Sequence, residues 1–75
     1  MPARSNTPAA TFAANVERIR KAKGLTQEQA AWAAGMHHTA WGRIEAGERK
    51  PTLATVFKLA AGLEIPPAKL FEGID

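Results

Sequence analysis

Three observations on the sequence predict an all-α fold. Apolar residues recur at helical spacing, as at Phe12, Val16 and Ile19 and again at Leu53, Val56, Phe57, Ala60 and Leu63. Helix-opening signals precede such stretches: Thr7 followed by Pro8, Thr26, Thr52 and Pro67. Glycines at 24, 35, 47 and 62 stand where the stretches stop, and glycine enters a left-handed turn without a steric cost. The expected architecture is a compact five-helix domain with a central helix-turn-helix, residues 8–75, behind a flexible arm of residues 1–7.

At 75 residues the chain makes one domain at most, near the lower limit at which a single apolar core suffices, with no room for an enzyme domain beside it. It has no cysteine, which excludes disulfides and thiolate metal sites and fits a reducing cytoplasm. No apolar run approaches a membrane span, and the N-terminus lacks the apolar core of a signal peptide. The expected location is the cytoplasm, with no membrane partner. Net charge is +3 and the pI about 9.8, unevenly placed. Six Lys or Arg face two Glu up to Arg43, whereas four face five acids from Ile44 onward. The basic side belongs to the first three helices and favours nucleic acid or another polyanion.

The arm, MPARSNT, is polar and proline-broken; its Arg4 reads either as a minor-groove residue or as a frayed terminus without a role. The first helix runs from Pro8 to about Lys23 and is closed by Gly24. Arg18, Arg20, Lys21 and Lys23 on its other face read as a phosphate-contacting row or as plain solvated surface. Arg20 differs from the rest. It follows Val16 and Ile19 at i+4 and i+1, at the edge of the buried stripe, where a guanidinium needs a carboxylate. Glu45 lies beside Trp41 and Ile44 on its own helix with the mirrored problem. A planar bidentate bond between the two solves both, so Arg20 and Glu45 are assigned to structure.

Thr26 and Gln29 have the spacing of a capping box, so a short helix begins at Gln27 and stops at Gly35, with Met36 packing back over the turn. A second short helix follows from about His38 to Ala46, ended by Gly47. With so few residues between them the two must cross steeply over a small seam of Ala30, Ala31, Ala34, Met36, Trp41 and Ile44. The opposite face carries His38, Thr39, Gly42 and Arg43, small and polar with one long cation, a surface that suits a DNA groove.

Beyond Gly47 lies an exposed loop with Arg49 and Lys50, then a fourth helix from Thr52 to Ala61 that Gly62 ends. Its core stripe is Leu53, Val56, Phe57, Ala60 and Leu63, with Leu59 outside it. Pro66 and Pro67 make a rigid link to a last short helix through Phe71. Five helices of this size cannot bury every large apolar residue well. The leftover patch of Leu59, Leu70, Phe71 and Ile74 is therefore expected to be a homodimer seam, the alternative being that these residues close the core from below.

These motifs resemble those of the lambda-repressor-like, or Cro-like, helix-turn-helix regulators of bacteria and phages. The resemblance covers Phe12 to Phe71 and rests on Arg20, Gly24, Leu25, Thr26 and Gln27, on Ala31, Gly35 and Met36, on Arg43 to Gly47, and on Pro51 and the closing PPAKLF. It implies a double-stranded DNA partner with a palindromic operator, read by a homodimer of bacterial or phage origin associated with the nucleoid. It further implies that Arg20 and Glu45 pair inside the domain and that His38, Thr39, Gly42 and Arg43 face bases. Gln27, His37, Arg49 and Lys50 are the phosphate contacts of this scheme. The short length without a sensor domain also resembles the controller proteins of restriction-modification systems.

Three departures from that pattern stand out. Ala30 replaces a usual Leu and Trp41 a usual Ile or Val, an exchange in which the indole fills the space Ala30 leaves. His37 stands where the family prefers a Ser or Thr cap, and Gly42 interrupts the reading helix at roughly 0.5–1 kcal/mol relative to Ala. The base-facing positions carry no Gln or Asn. Other chemistry fits poorly: His37 and His38 are adjacent and splay about the helix, no third ligand has metal spacing, and no catalytic triad, P-loop or dinucleotide turn is present. No cofactor is expected. Trp32 projects from the second helix at an expected exposed position, open to DNA backbone, a partner or partial burial against the first helix. The competing function is a protein-interaction module, such as an antitoxin on the same fold, gripping its partner with Trp32 and the C-terminal patch.

Overall fold

The computed structural model describes residues 7–74; residues 1–6, with Arg4 and most of the expected arm, and Asp75 lie outside the described residues. The chain forms α1 (Pro8–Ala22), α2 (Gln27–Ala33), α3 (His38–Glu45), α4 (Leu53–Leu63) and a 3-10 helix, Pro67–Phe71. The expectation of five α-helices is thus corrected to four. The last segment starts at consecutive prolines and is only five residues long, too short to repeat i→i+4 bonding, so it tightens to the 3-10 form. Its opening bond runs from Lys69 N to the Pro66 carbonyl, at 3.0 Å.

Side-chain caps fix three of the starts. The Thr7 hydroxyl accepts from Ala10 N at 3.1 Å, and Thr52 accepts from Thr55 N at 3.2 Å. Thr26 and Gln29 form the full reciprocal box, Gln29 N to Thr26 Oγ1 at 3.0 Å and Thr26 N to Gln29 Oε1 at 2.9 Å. His37 caps α3 without any side-chain bond, so α3 has the weakest start of the four. The turn between α2 and α3 depends on Gly35 at φ +69°, a conformation that lets Met36 N fold back onto the Ala31 carbonyl at 2.9 Å.

One core joins all the helices: Phe12, Val16 and Ile19 of α1, Ala30, Ala31 and Ala34 at α2, Trp41 and Ile44 of α3, Val56, Leu59, Ala60 and Leu63 of α4, and Leu70. Ala30 and Trp41 are both fully enclosed, consistent with the volume exchange expected between them. In α4 the buried stripe is turned relative to expectation. Leu59 is completely buried, whereas Leu53 and Phe57 face outward at 73% and 56% exposure. Burying a leucine side chain fully is worth about 1.5–3 kcal/mol, so Leu59 is one of the larger contributors to this small core. Gly62 sets the rotation. It lies inside the helix and against α2, where a β-carbon would stand 2.7 Å from Ala34 Cβ, and Glu64 takes over the left-handed terminus at φ 58°.

Candidate nucleic-acid interface

The frame of the site is a single carboxylate. Arg20 donates to Glu45 through Nε at 2.6 Å and Nη2 at 3.0 Å, the bidentate geometry, and its Nη1 donates to the Leu25 carbonyl at 2.8 Å. Two further donors complete the shell: Gln27 Nε2 at 2.9 Å and Trp41 Nε1 at 2.5 Å. The pair's side chains are only 10% and 3% exposed. Burial alone pushes the Glu45 carboxyl up, but the bonds from Arg20, Gln27 and Trp41, and the nearby positive charge, outweigh it and hold the group below its ordinary value. The hydrogen bonds to Glu45 likewise raise the Arg20 guanidinium. One ionised side chain of α3 therefore ties α1 and the first residue of α2 to the inner side of that helix. The Trp41 and Gln27 contributions are absent from the sequence expectations. A buried indole N–H needs an acceptor, and Glu45 one turn along supplies it; that signal was present in the chain.

With Trp41 and Ile44 buried and Glu45 turned back, the opposite face of α3 is mostly exposed among the described residues. His38, Thr39 and Arg43 are exposed and Gly42 is half-buried between them and α2. Of the expected phosphate contacts, His37, Arg49 and Lys50 are exposed, and Lys50 also borders an apolar groove. Gln27, half-buried, has its amide nitrogen engaged inside the domain with Glu45. The row on α1 is also partly used up: Arg20 is buried, Arg18 lies 3.4 Å from Glu72, and Lys21 pairs with Glu17 at 3.0 Å. These exposed pairs add little stability, and they lower the free positive charge of that face.

Trp32 is the most exposed large apolar side chain described, at 85%, and turns away from α1. It lines a shallow cleft of about 460 Å³ with Glu28, Met36, His37 and His38.

The expected dimer seam requires correction. Leu59 and Leu70 are wholly inside this chain's own core and offer no surface, because Leu70 closes the space between α1 and α4 and Leu59 lies on the inward stripe. Ile74 is partly buried against the core, and Phe71, 44% exposed, leans on Phe12 at a ring separation of 5.3 Å. The large apolar side chains still exposed near this end are Leu53, Phe57 and Phe71, of which Leu53 and Phe71 line a groove of about 440 Å³ together with Pro8, Pro51 and Val56. Phe71 is held in place by a residue that periodicity gave no reason to notice. The buried Asn15 donates through Nδ2 to the carbonyls of Leu70 and Glu72 on either side of it, at 2.9 and 2.8 Å.

An outward polar helix face, a preceding helix crossing over a glycine turn, and a buried Arg–Glu clamp behind them define a helix-turn-helix module. The chain belongs to the helix-turn-helix domain family, whose profile matches residues 11–71. The control protein C.SmaI of Serratia marcescens is 41% identical over 59 residues, 79% of this chain and 70% of that protein. The restriction-modification controller protein C.AhdI from Aeromonas hydrophila superposes with a TM-score of 0.81 at 36% identity, covering 84% of this chain and 96% of that one. A tetramer of the controller protein C.Esp1396I in complex with its natural 35 base-pair operator matches with a TM-score of 0.83 at 26% identity, over 91% of this chain and 90% of that one.

Proposed function

We propose that this protein is a sequence-specific, double-stranded-DNA-binding transcriptional regulator that reads the major groove with α3 as a homodimer, in the manner of a restriction-modification controller. The observation that carries the reading is the two-sidedness of α3. Its inner side is locked by Trp41, Ile44 and Glu45, and its outer side presents exposed His38, Thr39 and Arg43, with Gly42 half-buried beside Gln27 of α2. Relatives of this chain include the controllers C.SmaI and C.AhdI, and the C.Esp1396I tetramer was captured on its operator. In this reading Arg43 contacts bases, and His37, Arg49 and Lys50 contact phosphates on either side. Leu53, Phe57 and Phe71 form the seam of a two-fold dimer, which sets two copies of α3 in successive major grooves, about 34 Å apart, and calls for a palindromic operator. The work is done on nucleoid DNA in the cytoplasm. No helix among the described residues is long and apolar enough to cross a membrane.

The exposed Trp32 and its cleft favour a second reading, a protein-interaction module such as an antitoxin. Binding to genomic DNA fragments at two salt concentrations separates the two. A regulator binds a discrete site tightly, with affinity falling steeply as salt rises, because phosphate contacts release counterions. Weak, sequence-blind association at both concentrations would reject the regulator.

A further inference from the structure

We propose that Gln27, which belongs to α2, reads a base: its side-chain carbonyl Oε1 accepts from the exocyclic amino group of a cytosine or adenine in the major groove alongside α3. This rests on the reading of α3 as the groove-facing helix. The first support is the orientation of the amide. Gln27 Nε2 donates to Glu45 Oε1 at 2.9 Å, and an ionised carboxylate only accepts, so the NH2 must point inward and the carbonyl away from the clamp. Among the described residues nothing donates to that carbonyl oxygen, and no buried side-chain oxygen or nitrogen lacks a partner. Oε1 is therefore an open acceptor at the surface.

The second support is where it opens. A β-carbon on Gly42 would stand 3.4 Å from Gln27 Oε1 and 4.0 Å from its Cδ. Gly42 sits on the outer side of α3 between Thr39 and Arg43, so the missing side chain leaves a notch, and the Gln27 carbonyl lies at its edge. The third is chemical complementarity. A phosphate offers only acceptors and meets a carbonyl lone pair to lone pair, whereas cytosine N4 and adenine N6 donate in the major groove. Arg43 presents donors alone and the Thr39 hydroxyl and His38 ring can donate or accept, whereas the Gln27 carbonyl is an acceptor whose orientation the bond to Glu45 sets.

The test uses the full chain and an operator selected from a random DNA pool, with binding measured across all single-base variants. Gln27→Met keeps the length of the side chain and removes the acceptor together with the Nε2 donor to Glu45, so Gln27→Lys, which keeps a donor for Glu45 and lacks the acceptor, is measured beside it. Both are expected to lower discrimination at the same base pair of each half-site by about 2- to 12-fold, the worth of a single hydrogen bond, with any other change common to all variants. If that base is adenine, substituting purine, which lacks the amino group, lowers affinity for the unaltered chain and leaves Gln27→Met unaffected; a cytosine analogue without the N4 amino group serves otherwise. A uniform loss across all variants places Gln27 on phosphate or in structure and overturns the proposal, as does an unchanged profile. If the unaltered chain selects no operator, groove reading itself fails and this role with it; a discrete operator with a Gln27-independent profile rejects only the role given to Gln27.

Discussion

Gly62 of α4 is pressed against Ala34 at the end of α2 so closely that a β-carbon on the glycine would meet Ala34 Cβ at 2.7 Å and the Ala30 carbonyl oxygen at 3.0 Å. Two effects oppose each other in Gly62→Ala. Alanine is the better helix former by roughly 0.5–1 kcal/mol. Overpacking costs about 1–3 kcal/mol, and here the obstructing atoms include backbone that cannot swing aside. The clash wins. The variant is expected to melt several degrees below the unaltered protein in a calorimetric scan; a midpoint equal or higher would show that α2 and α4 separate freely.

The Glu45 clamp predicts both a mutational and a pH effect. Glu45→Ala leaves Arg20 with an uncompensated charge at the core edge, and breaking such a pair costs about 3–5 kcal/mol, a large part of the stability of a small domain. Because the folded-state value of Glu45 lies below its ordinary 4.5, its contribution is fully present above that pH and is lost as pH falls through the lower, folded value. Thermal melts between about pH 6 and pH 3 should show stability falling with acid, and Glu45→Gln should fall less steeply. Parallel curves for the two proteins would remove Glu45 as the titrating group.

How much of this was legible depended on how local the determinant was. Thr26, Gln29 and Gly35 fix their turns by bonds within a few residues, and the chain declares them. Arg20 and Glu45 lie 25 positions apart, yet each stood at the margin of its own apolar stripe, and the shared need made them partners. The phase of α4 was not declared. LATVFKLAAGL is apolar almost all round, so several stripes fit, and packing at Gly62 decided between them. Glycine commonly ends helices and the pattern makes Gly62 a stop, whereas in the fold it serves close approach. Asn15 reaches carbonyls 55 and 57 residues away, which no local pattern encodes.

The corrected α4 phase makes a paired prediction for the seam. Phe57→Asp changes an exposed position and is expected to give folded monomers by sedimentation, with weaker operator binding and little change in melting temperature. Leu59→Asp puts a charge in the core and is expected to unfold the chain. Dimers that persist in Phe57→Asp and in Phe71→Asp alike would place the seam elsewhere.

The final prediction separates reading from holding among the exposed cations. Arg43 lies on the outer face of α3, one turn after Thr39, and its fork can bond both O6 and N7 of a guanine, a contact worth about 1–3 kcal/mol of discrimination. Arg49 lies past Gly47, where the chain leaves α3, and a cation there meets phosphate, which adds affinity without preference. Arg43→Ala should therefore relax the choice of base at one position in each half-site, while Arg49→Ala should weaken all sequences alike and reduce the salt slope by about one. The measurement is a binding profile over every single-base operator variant, repeated at two salt concentrations. If Arg43→Ala lowers every variant by one common factor, Arg43 only positions the helix, and the bases are read by other residues of the notch.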